Sequence, residues 1–160
     1  MSRATAAWVL PVSIVVALVL GLLPLPATLS PLRPYWLALV VAYWVLEEPD
    51  RAGVGFAFFV GLVADLAFGS LLGEQALRLT ILAFILQRFR ARLRFFPLSQ
   101  QSLAIGALLL NDRIVTAALH LALGEPTPAP LSWIAPAIGM VLWAPLFWLL
   151  DSLRLKAWRN

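Results

Sequence analysis

The sequence predicts an all-α polytopic membrane bundle of about six transmembrane helices, folded as a single domain, on three observations. Of the 160 residues 62% are hydrophobic and only 12% are charged, against roughly 45–50% apolar usage in soluble domains, and the mean hydropathy is +0.90. The apolar residues fall into stretches near membrane-crossing length, divided by short links rich in proline or charge. Lys and Arg gather in alternate links, the asymmetry that orients membrane proteins. A soluble core built from so short a chain leaves much of its surface in water, so lipid must be the solvent for most of this one.

Taken in order, the first span is predicted over Trp8–Leu29. One arginine precedes it and no small-x-small cleavage site follows, so it reads as a retained span and not as a removed leader. The second, Tyr35–Leu46, follows the proline-rich link PLPATLSPLRP; like the fourth, Gln75–Gln87, it is short for a crossing that needs about 17–20 residues. Both require a place inside the bundle or snorkelling polar flanks. The third, Val54–Leu72, the fifth, Ser102–Leu123, and the sixth, Leu131–Leu150, meet the length requirement. Six spans place Arg3, Arg51, Arg88, Arg90, Arg92, Arg94, Arg154, Lys156 and Arg159 on one side, with only Arg33 in an outer loop. That side is cytoplasmic and holds both termini. A five-span arrangement, with the second segment re-entrant, moves Arg3 outside and fits the charges less well.

The basic balance, a net charge of +4, would suggest nucleic acid in a soluble protein. Here it is what positive-inside topology produces, and no nucleic-acid partner is expected. The chain has no cysteine, which removes disulfides, thiol catalysis and cysteine metal sites. The acidic cluster EEPDR, Glu47–Arg51, has no histidine or metal partner nearby in sequence, and Ser13, Ser70 and Ser132 lack a nucleophile-elbow context. His120 stands alone as a possible ligand. No catalytic residue, metal or cofactor is expected, and an enzyme is not. The stretch QRFRARLRFFP puts Arg88, Arg90, Arg92 and Arg94 beside the membrane as a cytoplasmic anchor for anionic lipids, at about 1 kcal/mol per charge.

The segment GLVADLAFGSLLGEQALR, Gly61–Arg78, places a carboxylate in an apolar run. Gly61, Asp65, Gly69 and Gly73 recur every four residues, which on a helix forms one stripe of small residues around Asp65 and admits a close neighbour. Asp65 therefore faces protein, because a charge at mid-bilayer costs roughly 2.5–3.5 kcal/mol or more without a partner. Arg78 and Arg113 qualify as partners, and Asp112 adds a second carboxylate. The expected arrangement pairs Asp65 with Arg78 or Arg113 and Asp112 with the remainder, a charge-balanced network that fixes helix register. Asn111, Thr116 and His120 supply hydrogen bonds to it.

This same stretch, Gly61–Gly73 followed by Glu74–Leu77, resembles the signature of the MreD family of rod shape-determining inner-membrane proteins of bacteria. RPYWLALVVAYW, Arg33–Trp44, PDRAGVG, Pro49–Gly55, and FPLSQQ, Phe96–Gln101, stand in the order that family uses. The resemblance covers nearly the whole chain and carries Gly61, Asp65, Gly69 and Gly73 over as the family motif. It implies a non-enzymatic component of the cell-elongation machinery in the inner membrane. The implied partners are the single-span protein MreC and, directly or through it, RodA with its transpeptidase and the actin-like MreB. It also implies a fold similar to the substrate-binding subunits of energy-coupling-factor transporters, although the first span lacks the alanine-x-x-x-alanine pattern common there. Trp8, Tyr35, Trp36, Tyr43 and Trp44 are the expected partner-docking surface. A small-molecule transport subunit is the alternative: it requires a polar cavity open to the outer side with Asp65 and Arg78 in its wall, where a scaffold has a filled core.

Overall fold

The computed structural model describes residues 7–159. Six α-helices follow in order: α1 Val9–Leu22, α2 Trp36–Glu47, α3 Val54–Phe68, α4 Glu74–Leu93, α5 Leu98–Leu123 and α6 Ala135–Arg159, with single 3-10 turns at Ser30–Leu32 and Pro130–Ile134. No strand occurs among the described residues. Leu98–Leu123 and Pro130–Arg159 are each long and apolar enough to cross a membrane, and α1 and α3 are shorter apolar helices. Successive helices reverse direction, so the links 23–35, 69–73 and 124–134 collect at one end, the proline end. Links 48–53 and 94–97 collect at the other, the arginine end, where Arg51 donates to the Ala7 carbonyl at 3.1 Å and Arg154 reaches Glu47 at 3.2 Å. Arg3 lies outside the described residues.

The exterior is apolar: Phe59, Leu66, Leu121, Val141 and Trp148, from three helices, each expose 67–78% of their surface. Soluble monomers avoid such continuous apolar faces; a lipid-facing bundle requires them.

The centre of the bundle is α2. Its residues Leu37 to Leu46 are all buried, and it packs against α1, α4, α5 and α6. At about 1.5 Å per residue it is a rod of only ~18 Å, and its enclosure by other helices answers the length problem the sequence posed. The polar atoms of the core aromatics all find partners, as burial demands. Trp44 Nε1 donates to Ser13 Oγ at 2.8 Å, Tyr43 Oη to Asp151 Oδ1 at 3.2 Å, and Trp143 Nε1 to Gln101 Oε1 at 3.0 Å. The α5–α6 contact is small against large in both directions. A Cβ on Gly106 would lie 2.9 Å from Met140 Sδ, and one on Gly139 would lie 2.5 Å from Leu109 Cδ1.

Several boundaries differ from those the sequence predicts. Helix α1 stops at Leu22 instead of Leu29, because Pro24 and Pro26 cannot continue it. Helix α4 does not end at Gln87 but runs through the arginines to Leu93, 20 residues in all. Helix α5 begins directly after Pro97, and α6 takes up the basic tail as helix. The arginine run is consequently not a uniform membrane anchor. Arg90 Nε caps α2 by donating to the Leu46 carbonyl at 2.8 Å, and Arg94 lies 3.9 Å from Glu47. Arg88 and Arg92 remain exposed. The acidic EEPDR cluster finds its role here too: Glu47 receives Arg154 and Arg94, and Glu48 pairs with Arg51 at 3.0 Å.

Candidate functional site

Asp65 sits in the last turn of α3, and its surroundings overturn the expected stripe. Helix α3 ends at Phe68, Gly69 closes it with φ of 65°, and Gly73 opens α4 with φ of 97°. Both angles belong to the left-handed region that only glycine enters cheaply. Within the motif, therefore, only Gly61 is a packing glycine. A Cβ there would lie 2.3 Å from the Ala76 Cα atom, so α3 and α4 touch backbone to backbone. Gly69 and Gly73 instead make the tight reversal between them.

The reversal carries the start of α4 back onto the Asp65 carboxylate. Oδ1 accepts from the Gln75 amide at 2.7 Å and the Ser70 hydroxyl at 2.9 Å; Oδ2 accepts from the Gly73 amide at 2.8 Å and the Ala76 amide at 3.5 Å. A helix start leaves such N–H groups unpaired and carries partial positive charge, and away from water an unpaired amide costs several kcal/mol. Asp65 is thus the cap of α4, supplied from a different helix. The expected ion pair between Asp65 and Arg78 or Arg113 is absent, because backbone amides already engage the carboxylate.

Arg78 pairs with Asp112 instead. Nε and Nη2 donate to Oδ1 and Oδ2 at 2.8 and 2.7 Å, a two-pronged contact between α4 and α5 with both residues buried. The Tyr35 ring lies 4.4 Å from the Arg78 guanidinium carbon, and its hydroxyl donates to Gln75 Oε1. Glu74 lies 3.9 Å from Arg78 and 3.1 Å from His120 Nε2, while His120 Nδ1 donates to the Pro126 carbonyl at 2.8 Å. Arg113, next to Asp112 in sequence but turned about 100° from it, forms neither hydrogen bond nor ion pair among the described residues. Its Nε is buried without a partner. Thr116 returns its hydroxyl to the Asp112 carbonyl at 2.9 Å. Among the described residues no grouping of three His, Asp or Glu side chains could hold a metal.

Two open cavities meet at Arg78 and Arg113. One, of ≈ 320 Å³, lies between α1, the start of α2 and α4, with Arg33, Tyr35, Phe68 and Gln75 in its wall. The other, of ≈ 530 Å³, opens beneath the proline links, where Glu74, Thr116, His120 and Ser132 line it. A third hollow is of a different kind: an apolar groove of ≈ 510 Å³ between α1 and α6, floored by Trp36 and Val40 of α2 and walled by Val12, Val16, Leu149 and Leu153.

The expected docking aromatics separate on this map. Trp8, 54% exposed, and Trp36 belong to the apolar groove. Tyr35 turns to the arginines. Tyr43 and Trp44 are fully enclosed in the core and cannot touch a partner, because they lie on faces of α2 that other helices cover. Sequence reasoning also passed over Gln75, Ser70 and Arg33 as members of the polar end. Arg33 carried a legible signal: it is the one arginine that breaks the positive-inside pattern.

A family model for rod shape-determining protein MreD matches residues 2–153. Rod shape-determining protein MreD of Haemophilus influenzae is 32% identical over 142 residues, covering 89% of this chain and 88% of that protein. No solved structure matches the chain, so the expected likeness to energy-coupling-factor subunits finds no support. With a family match across nearly its full length and a relative 32% identical over 89% of it, the chain belongs to the MreD family of rod shape-determining proteins.

Proposed function

We propose that the protein is a non-enzymatic scaffold of the cell-elongation machinery in the bacterial inner membrane. It crosses six times with both termini cytoplasmic, captures the single membrane span of MreC, and through it helps position RodA, its transpeptidase and MreB to regulate peptidoglycan synthesis. The observation that carries this reading is the α1–α6 groove. It is apolar, it follows α1 from Trp8 to Leu20, about 18 Å of helix, and its floor is the rigid central helix. An apolar helix laid into a groove is a recurring mode of recognition, and in lipid close packing supplies much of the association energy. Arg88 and Arg92 serve as the anionic-lipid anchor at the cytoplasmic end.

The native chain has no cysteine, so single cysteines give a clean test. Val16→Cys and Leu149→Cys should cross-link to cysteines in the MreC span, while Phe59→Cys and Leu66→Cys on α3 should not. Cross-linking from α3 alone would place the partner elsewhere and sink the groove reading.

One observation favours the alternative, a vitamin-like substrate-binding subunit of a transporter. The proline end does hold polar cavities with Arg78 in their walls, and the core is not filled there. Asp65, the other wall residue that reading requires, lines neither cavity.

A further inference from the structure

The proline end contains three buried or half-buried carboxylates, and each is engaged. Asp65 holds the α4 amides, Asp112 holds Arg78, and Glu74 holds His120. Arg33 turns both terminal nitrogens onto the Gly21 and Leu23 carbonyls that end α1. What remains is the Arg113 guanidinium, without a counter-ion among the described residues, and two buried Nε–H groups without acceptors, those of Arg33 and Arg113. Both arginines line the same ≈ 320 Å³ cavity, and Arg113 also faces the adjoining ≈ 530 Å³ one.

Guanidinium stays charged at any physiological pH, and half-buried Arg113 faces both cavities with its Nε buried and unpartnered and with no opposite charge in contact with it among the described residues. We propose that the ≈ 320 Å³ cavity binds a phosphate oxyanion at Arg113, with Arg33 Nε as a second donor. The planar fork of an arginine matches phosphate oxygens two at a time. The space is that of a ligand site and not of a single ion, since such sites run to about 300–1,000 Å³. The same cavity is also lined by the apolar side chains of Phe68, Trp36 and Ala17, and the last two also line the α1–α6 groove. A phosphate carried on an apolar tail therefore fits as well as a free one. The site does not depend on partner capture, and the test needs no partner.

The full chain, stripped of lipid in a neutral detergent, would be examined in two arms. Native mass spectrometry would compare retention of phosphatidylglycerol with phosphatidylcholine. Thermal unfolding would compare inorganic phosphate with chloride at equal ionic strength. Selective phosphatidylglycerol retention that falls about ten-fold in Arg113→Gln identifies a lipid headgroup; a phosphate-dependent rise in Tm lost in Arg113→Gln identifies a soluble ligand. In chloride Arg113→Gln should melt no lower than the parent, because no pair is broken, and a merely structural arginine would not behave so. Arg113→Lys, which keeps the charge and loses the fork, should bind several-fold more weakly and carries the comparison if the glutamine variant does not accumulate. The proposal is overturned if neither arm shows an effect, if Arg113→Gln retains both, or if only Arg88→Gln loses the lipid.

Discussion

The two ends of α2 carry similar chemistry in different surroundings. At the proline end Arg78 grips Asp112 with both residues buried and Tyr35 against the guanidinium. At the arginine end Glu47 receives Arg154 at 3.2 Å and Arg94 at 3.9 Å, and Arg94 is 47% exposed. A buried pair that loses one member strands a charge with no water to receive it, whereas a rim pair exchanges its partner for solvent. Loss of Arg78 should therefore be costly and loss of Arg94 cheap, because Glu47, itself only 10% exposed, keeps Arg154 when Arg94 is removed.

The largest effect that would break this contrast is at Arg78. Arg78→Ala should cost about 3–5 kcal/mol, read as loss of folded protein by thermal unfolding in detergent. The double variant Arg78→Met/Asp112→Leu should recover much of that stability, and a double variant as damaged as the single would show that hydrogen-bond geometry matters more than stranded charge. Gly61→Ala should follow at about 1–3 kcal/mol or more, since its new methyl meets α4 backbone that cannot yield. A near-neutral result there would mean that the two helices are free to part. Asp65→Asn loses the charge that faces the helix start and sets a donor NH2 against N–H groups that one carboxylate oxygen accepted, at about 1–3 kcal/mol. Ser70→Ala, which removes one contact of four, should cost less than that. Smallest of all, Arg94→Gln should change stability by less than about 1 kcal/mol. A loss as large as that of Arg78→Ala would erase the distinction between the ends.

Much of the fold was legible because apolar runs broken by short polar or proline-rich links mark all six helices, and proline and glycine mark most links. Ends were less legible where two rules compete. The hydrophobic run through Leu71 and Leu72 reads as helix by composition, yet α3 stops at Phe68 because Asp65 and Gly69 act on the backbone. A spacing of four is equally compatible with a helical stripe and with a helix that ends in a glycine turn. Asp65 itself was legible as a buried, partnered carboxylate, but not its partners, because backbone amides leave no mark in side-chain identity. The arginine pairings were open for a related reason: two arginines and two carboxylates allow several matchings, and the choice depends on the rotation of α5, which places Asp112 and Arg113 on different faces. Tyr43 and Trp44 misled because an aromatic at a membrane interface and one in a bundle core look alike in sequence.

The enclosure of α2 also bears on how the chain is made. Segments emerge from the ribosome in order, and α2 precedes three of the four helices that surround it, α4, α5 and α6. Its contacts with α6, among them Tyr43 to Asp151 and Glu47 to Arg154, join positions more than a hundred residues apart. Until α6 is synthesised, the helix that becomes the most secluded in the protein has an open flank toward lipid, and its final seat is taken only when the last span arrives. A chain halted before Ala135 is therefore not a smaller version of this protein but an unfinished one, with its centre still on the outside.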